Sequence, residues 1–164
     1  MGDPENDDLR HMSAALDAAA QAAACGEVPI GAVVVMEGAV MGHGYNRRES
    51  WQDPTAHAEI IAIREAAAAL GSWRLLGSTL YVTMEPCAMC IGAAILARVE
   101  RLVFGVMDPK GGACGSILNI PAERGFNHCI EVVGGVMEEK SRELLQRFFR
   151  ELRDKSIEAP SRRD

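Results

Sequence analysis

The chain has 164 residues, 48% hydrophobic and 24% charged, a size and balance that suit one soluble globular domain. Its net charge of −6 argues against a protein basic all over. Residues 1–8 nevertheless carry four of the negative charges, so the near-neutral remainder can still present the local basic patch that phosphate contacts need. No apolar run approaches the roughly 20 residues of a membrane span. The acidic start, MGDPENDD, has no apolar core of a secretory signal, so the expected location is cytoplasmic. Five cysteines, an odd number, point to reduced thiols or metal ligands rather than a disulfide framework.

Residues 1–8 read as a disordered tail. An Ala-rich helix is expected over 9–25, with Leu9, Met12, Leu16 and Ala20 near helical spacing. VPIGAVVVM (28–36) reads as a strand buried on both sides, Glu37-Gly38 as a hairpin turn, and 39–46 as the returning strand. RRESWQDP (47–54) reads as a loop. Asp53 or Thr55 is placed to cap a helix over 55–70. STLYVTM (78–84) is a strand, and Pro86 sits where a following helix would start and run to about Arg98. RLVFGVM (101–107) is the next strand, so strand, helix and strand imply a parallel pair. A Gly-rich loop over 108–127, a fifth strand over 128–136 and an amphipathic helix from 138 to about 155 complete the pattern, with 156–164 read as a second disordered tail. The sum is an α/β fold: a five-stranded mixed sheet between helices, in three α/β/α layers.

Two short motifs carry chemistry. In TAHAEI (55–60), His57 and Glu59 stand two residues apart near a helix start. Residues at that spacing do not share a helix face. Side chains lean toward the helix N-terminus, however, so both can converge on a point beyond its tip. In MEPCAMC (84–90), Cys87 and Cys90 are three apart in the first turn of the next helix, where the macrodipole favours thiolate. His57, Cys87 and Cys90 make three ligands of a tetrahedral zinc site with its fourth position open, the pattern of catalytic zinc. Glu59 would then be a free carboxylate placed to move a proton. The constellation fits metal-assisted hydrolysis at an electrophilic carbon.

HAE followed by PCAMC resembles the HxE…PCxxC signature of the zinc-dependent cytidine and deoxycytidylate deaminase superfamily. VPIGAVVV, GHGYN, DPTAHAEI, TLYVTMEPCAMCIGA, FGVMDPKGGACGS and FNH are similar to the bacterial tRNA-specific adenosine deaminases within it, across about residues 9–150. The resemblance implies a cytidine-deaminase-like zinc domain over 9–155, with one Zn2+ per chain. It implies Glu59 as proton shuttle in the hydrolysis of adenosine to inosine at the wobble position of a tRNA anticodon stem-loop. It further implies Asn46, Asp108, Lys110 and Phe149 as substrate contacts, and a homodimer. Three other readings stand beside it. One keeps the chemistry but takes a free guanine, cytosine or cytidine; another is a CxxC thiol-disulfide oxidoreductase. The third is a structural zinc module closed by His128, Cys114 or Cys129. His11 and His43 read as surface or turn residues, and Cys25, Cys114 and Cys129 as small buried side chains.

Overall fold

In the computed structural model, which describes residues 3–158, five strands lie in the order β2-β1-β3-β4-β5. β1 (Gly31–Met36) and β2 (Ala39–Tyr45) form an antiparallel hairpin. Glu37 and Gly38 both take positive φ at its tip, the backbone of a primed two-residue turn. β1 pairs antiparallel with β3 (Ser78–Met84), which runs parallel to β4 (Arg101–Val106). β4 in turn pairs parallel with the short β5 (Glu131–Val133). The sheet is mixed, as expected.

Helices cover both faces. α3 (Ala58–Leu70) and α4 (Ala88–Leu96) pack on one face over Ala32, Val34, Leu80, Val82, Leu102 and Phe104. α1 (Pro4–Ala24) lies on the other over Val33, Val35, Tyr81 and Val103, and α5 (Glu138–Glu158) contributes to the same side. β1 therefore buries both of its faces, which is why its sequence is continuously apolar rather than alternating. α3 comes especially close to the sheet because both partners are small. A Cβ on Gly42 would lie 2.3 Å from the Ala62 carbonyl oxygen, and one on Gly44 would lie 2.5 Å from that of Ala58. This contact of Ala on Gly fixes the height of α3, and with it the residue at its tip.

Several expected boundaries move. α1 begins at Pro4, capped by Asp3, so residues 4–8 are helix rather than tail. Its buried stripe is Met12, Ala15, Ala18, Ala19 and Ala22, while Leu9 is exposed, because the small residues are what the close approach to β1 admits. Residues 156–158 continue α5, and 1–2 and 159–164 lie outside the described residues. The expected loop 47–54 holds a one-turn helix, α2 (Arg48–Trp51). Neither Asp53 nor Thr55 caps α3; Asp53 instead accepts from the Thr55 N–H and hydroxyl, an Asx turn that leads the chain into the helix. α4 starts two residues after Pro86, and β5 is only three residues long. His11 is buried against the Tyr81 ring rather than on the surface, and Cys25 and Cys129 are exposed rather than buried.

The earlier helix start has an energetic reason. Asp8 is buried and accepts from Arg101 Nη1 at 2.6 Å, Arg101 Nη2 at 2.8 Å and the Tyr81 hydroxyl at 2.8 Å, tying α1 to β3 and β4. The Arg101 hydrogen bonds hold its carboxyl below 3.8, against the opposing pull of burial. Asp8→Asn is expected to cost about 1.5–3 kcal/mol, the worth of hydrogen bonds to a charged group. Because the folded-state pKa lies below the unfolded one, that stability is complete above about pH 4 and fades as pH falls through the folded value. Urea unfolding over a pH series should show the gap between variant and parent narrowing in acid. A gap constant with pH would remove Asp8 ionisation as its cause.

Candidate metal centre and pocket

Two helix starts meet on one face of the sheet. His57 is the N-cap of α3 and Cys87 the N-cap of α4, both with extended backbone and neither using its side chain to cap. Their carbonyls open the helices by accepting from Ile61 and Ile91. With the side chains free of capping duty, both project beyond the helix tips. Cys90, one turn into α4, is fully buried beneath them. His57 Nδ1 lies 3.6 Å from Cys87 Sγ and 3.5 Å from Cys90 Sγ.

The ligating atoms of all three lie within 4.8 Å of one another, and they are the one such group among the described residues. One imidazole and two thiols are a donor set suited to zinc. The cluster also lowers the cost of ionising a ligand. The hydrogen bond from Cys90, helped by His57, pulls the Cys87 thiol down to about 4, while Cys90, as donor and in a buried position, is pushed up. His57 is raised, chiefly by its hydrogen bond with Cys87.

Glu59 sits in the first turn of α3, 4% exposed, facing the same centre. Burial pushes its carboxyl up to about 7, in the range where a group both takes and returns a proton. Among the described residues no fourth protein ligand joins the cluster. His128 Nε2 donates to the Val99 carbonyl at 2.6 Å, Cys129 is exposed, and Cys114 is buried beside Pro86 with its thiol raised to about 12 by desolvation. None of these candidate fourth ligands of a structural zinc site lies with the cluster.

A cavity of about 390 Å3 opens above the centre. His57, Glu59 and Cys87 line its floor, and Val28, Ile30, Asn46, Arg48, Met84, Glu85, Asp108, Lys110 and Phe149 its walls. Seven of the eight residues singled out in the sequence therefore face one space, with Cys90 just below. Asn46 is buried and already engaged: its Oδ1 accepts from Arg48 N at 3.4 Å and its Nδ2 donates to the Val28 carbonyl at 3.5 Å. Asp108 Oδ1 accepts from Lys110 N at 3.0 Å, which shapes the loop tip. Phe149, exposed on α5, packs edge-on against the half-buried Phe148, and also borders a second groove with Lys110, Arg150 and Arg153. Arg47 turns away from the cavity and lies over the rings of Tyr45 and Trp51.

Two buried acids that shape the pocket walls escaped the sequence reading. Glu27, 1% exposed, accepts from the N–H groups of Ser50 at 2.6 Å and Glu49 at 3.3 Å, holding α2 against the wall that carries Asn46 and Arg48. Glu85, 3% exposed, accepts from the opposite loop, and although burial pushes its carboxyl up, the hydrogen bonds from Ser116, Asp108 and Cys114 bring it below 4.5. The available signal was an acid at the margin of an apolar strand, in GEVPIG and in VTMEPC.

The profile of the cytidine and deoxycytidylate deaminase zinc-binding region matches residues 5–106. The chain is 53% identical over 148 residues to the tRNA-specific adenosine deaminase of Bacillus subtilis (strain 168), covering 90% of this chain and 92% of that one. A solved structure from work on A-to-I editing by tRNA:A34 deaminases at the wobble position of transfer RNA aligns with a TM-score of 0.80 and 46% identity, over 83% of this chain and 99% of that one. The guanine deaminase of Nitrosomonas europaea aligns with a TM-score of 0.73 and 26% identity, over 90% of this chain and 85% of that one.

Proposed function

The chain belongs to the cytidine and deoxycytidylate deaminase family, and on that premise we propose that it deaminates adenosine to inosine at the wobble position of a tRNA anticodon. The observation that carries the chemistry is Glu59 facing His57, Cys87 and Cys90 at the floor of one pocket. The family is a zinc-binding one, and the donor set fits that ion. Zinc held by His57, Cys87 and Cys90 supplies the Lewis acidity that brings a water molecule's pKa toward neutrality.

The protein's own groups do the rest. Glu59 takes the proton of the attacking water and delivers it to the purine ring nitrogen as the new C6–O bond forms. It then passes the second proton to the amino group, so that the C6–N bond breaks and ammonia leaves. Val28, Ile30 and Met84 give the base an apolar enclosure that excludes bulk water. Asn46 exchanges its long backbone hydrogen bonds for bonds to the base, which its amide can both donate to and accept from. Asn46→Ala is expected to lower kcat/KM about 10–100-fold, the scale of losing one or two buried hydrogen bonds. Steady-state kinetics on an anticodon stem-loop would check this, and an unchanged value would remove Asn46 from base recognition.

The RNA reading draws its support from the 53% identical relative and from the cations at the pocket mouth. Arg48 and Lys110 border the pocket itself, and Arg150 and Arg153 the adjoining groove, with Phe149 between them. These are groups that contact phosphates and stack bases. Asp108, Lys110 and Phe149 are read as contacts to nucleotides flanking the target. We read the protein as a cytoplasmic homodimer; Leu96, Met107, Ile117 and Leu118 are exposed apolar side chains that a second copy would cover. No described helix is long and apolar enough to cross a membrane.

The deciding experiment measures inosine in an anticodon stem-loop bearing a wobble adenosine, beside free guanine, cytosine and cytidine. Conversion of the stem-loop alone supports the whole reading. Activity confined to a free base or nucleoside keeps the chemistry and overturns the RNA substrate. Light scattering that returns the monomer mass would overturn the dimer, and fractionation away from the cytoplasm would overturn the location.

A further inference from the structure

The glycine-rich segment 108–116 has no regular secondary structure apart from one isolated bridge, yet it is wrapped around one side chain. Glu85 Oε2 accepts from Asp108 N at 2.9 Å and from the Ser116 hydroxyl. Its Oε1 accepts from Cys114 N and Ser116 N, each at 3.0 Å. A carboxylate offers about four lone-pair sites, and this one spends all four on the two ends of a single loop. The fit also reaches into the backbone: a Cβ on Gly112 would lie 2.4 Å from the Glu85 carboxyl carbon and from Oε2, so only glycine lets the chain close over the acid. The main chain of Glu85 is fixed in turn, its N–H donating to the Val106 carbonyl at 2.8 Å.

Asp108 at one anchored end and Lys110 between the two ends both line the pocket. We propose that Glu85 is a positioning residue, whose carboxylate holds the 108–116 loop in the shape that presents Asp108 and Lys110 to the substrate. The role rests on the reading of the pocket as a nucleic-acid site. Glu85 need touch no reacting atom; it acts through the loop. A purely structural acid at this place would support stability without favouring substrate binding, and that difference can be measured.

Three variants probe the contact from its two sides. Glu85→Gln keeps the shape but turns an NH2 group toward backbone donors. Ser116→Ala removes one loop donor and leaves the metal segment untouched. Gly112→Ala pushes the loop away. For zinc-loaded protein acting on the anticodon stem-loop, KM is expected to rise about tenfold in Glu85→Gln and Gly112→Ala. A rise of about threefold is expected in Ser116→Ala, with kcat per bound zinc within about twofold of the parent in all three. Hydrogen exchange at the Asp108, Cys114 and Ser116 amides should accelerate in Glu85→Gln.

Unchanged KM in Ser116→Ala and Gly112→Ala, with only the melting temperature lowered, would overturn the proposal. Unchanged amide protection in Glu85→Gln would do the same. Should Glu85→Gln fail to fold, the two loop variants decide by the same KM criterion. A parent protein that does not convert the stem-loop defeats the substrate reading, whereas the exchange measurement still tests the anchoring by itself.

Discussion

Glu59→Gln is expected to abolish inosine formation to within detection, a fall in kcat of about 10³–10⁴-fold, while zinc stays bound at one per chain. The magnitude follows from what the side chain would do. Proton transfer by a positioned group contributes about 10²–10⁴-fold, and in the proposed reaction one carboxyl would handle both the proton taken from water and the proton given to the leaving nitrogen. Gln fills the same volume in the first turn of α3, so the 4% exposed site does not collapse. It cannot accept and return a proton. Metal content by elemental analysis, measured beside inosine formation on the stem-loop, separates this outcome from loss of the ion. A variant that keeps its zinc and its rate would remove Glu59 from the reaction altogether.

Cys90→Ala should lose both zinc and activity. The side chain is fully buried under the pocket floor, with its Sγ 3.5 Å from His57 Nδ1, so its removal leaves one imidazole and one thiol to hold the ion. Zinc sites of the structural kind are worth on the order of 10 kcal/mol of binding free energy, and a site reduced to two protein ligands is expected to release its metal on dialysis. Activity should then fall below about 1% of the parent, the fate of a catalyst stripped of its Lewis acid. Ala at position 90 also leaves a small cavity, costing about 1 kcal/mol of stability, so the melting temperature must be compared with that of metal-stripped parent. The same experiment addresses the dithiol alternative. A CxxC oxidoreductase works without zinc, and retention of full deaminase activity by Cys90→Ala would exclude the three-ligand site.

The local part of the design was legible in the order of residues. Strands announce themselves by β-branched runs, the hairpin by Glu37-Gly38, and the parallel β3 and β4 by the helix that separates them. His57 and Glu59 near one helix start, and Cys87 and Cys90 near another, are chemically unusual at short range, and side-chain lean toward a helix tip is a property of every helix. That His57 and Cys87 are the N-caps themselves, rather than residues of the first turn, was not legible. Capping preferences favour Asp53 or Thr55, and the Asx turn at Asp53 engages both, so that α3 starts beyond them.

Donor chemistry at two helix starts is what the sequence by itself determined: an imidazole, two thiols and a carboxyl, each in a local setting that a few neighbouring residues decide. Their meeting belongs to the tertiary structure. His57 and Cys87 are 30 residues apart, and they converge because α3 and α4 pack on the same face of the sheet, with α3 lowered onto Gly42 and Gly44. The walls depend on still longer reach. α5 brings Phe149 to the mouth, and Glu85 and Glu27 gather their loops through bonds to backbone N–H groups. Those donors are the same at almost every residue type, so no sequence pattern marks the partners of a buried acid, and only the folded chain reveals which loops it holds.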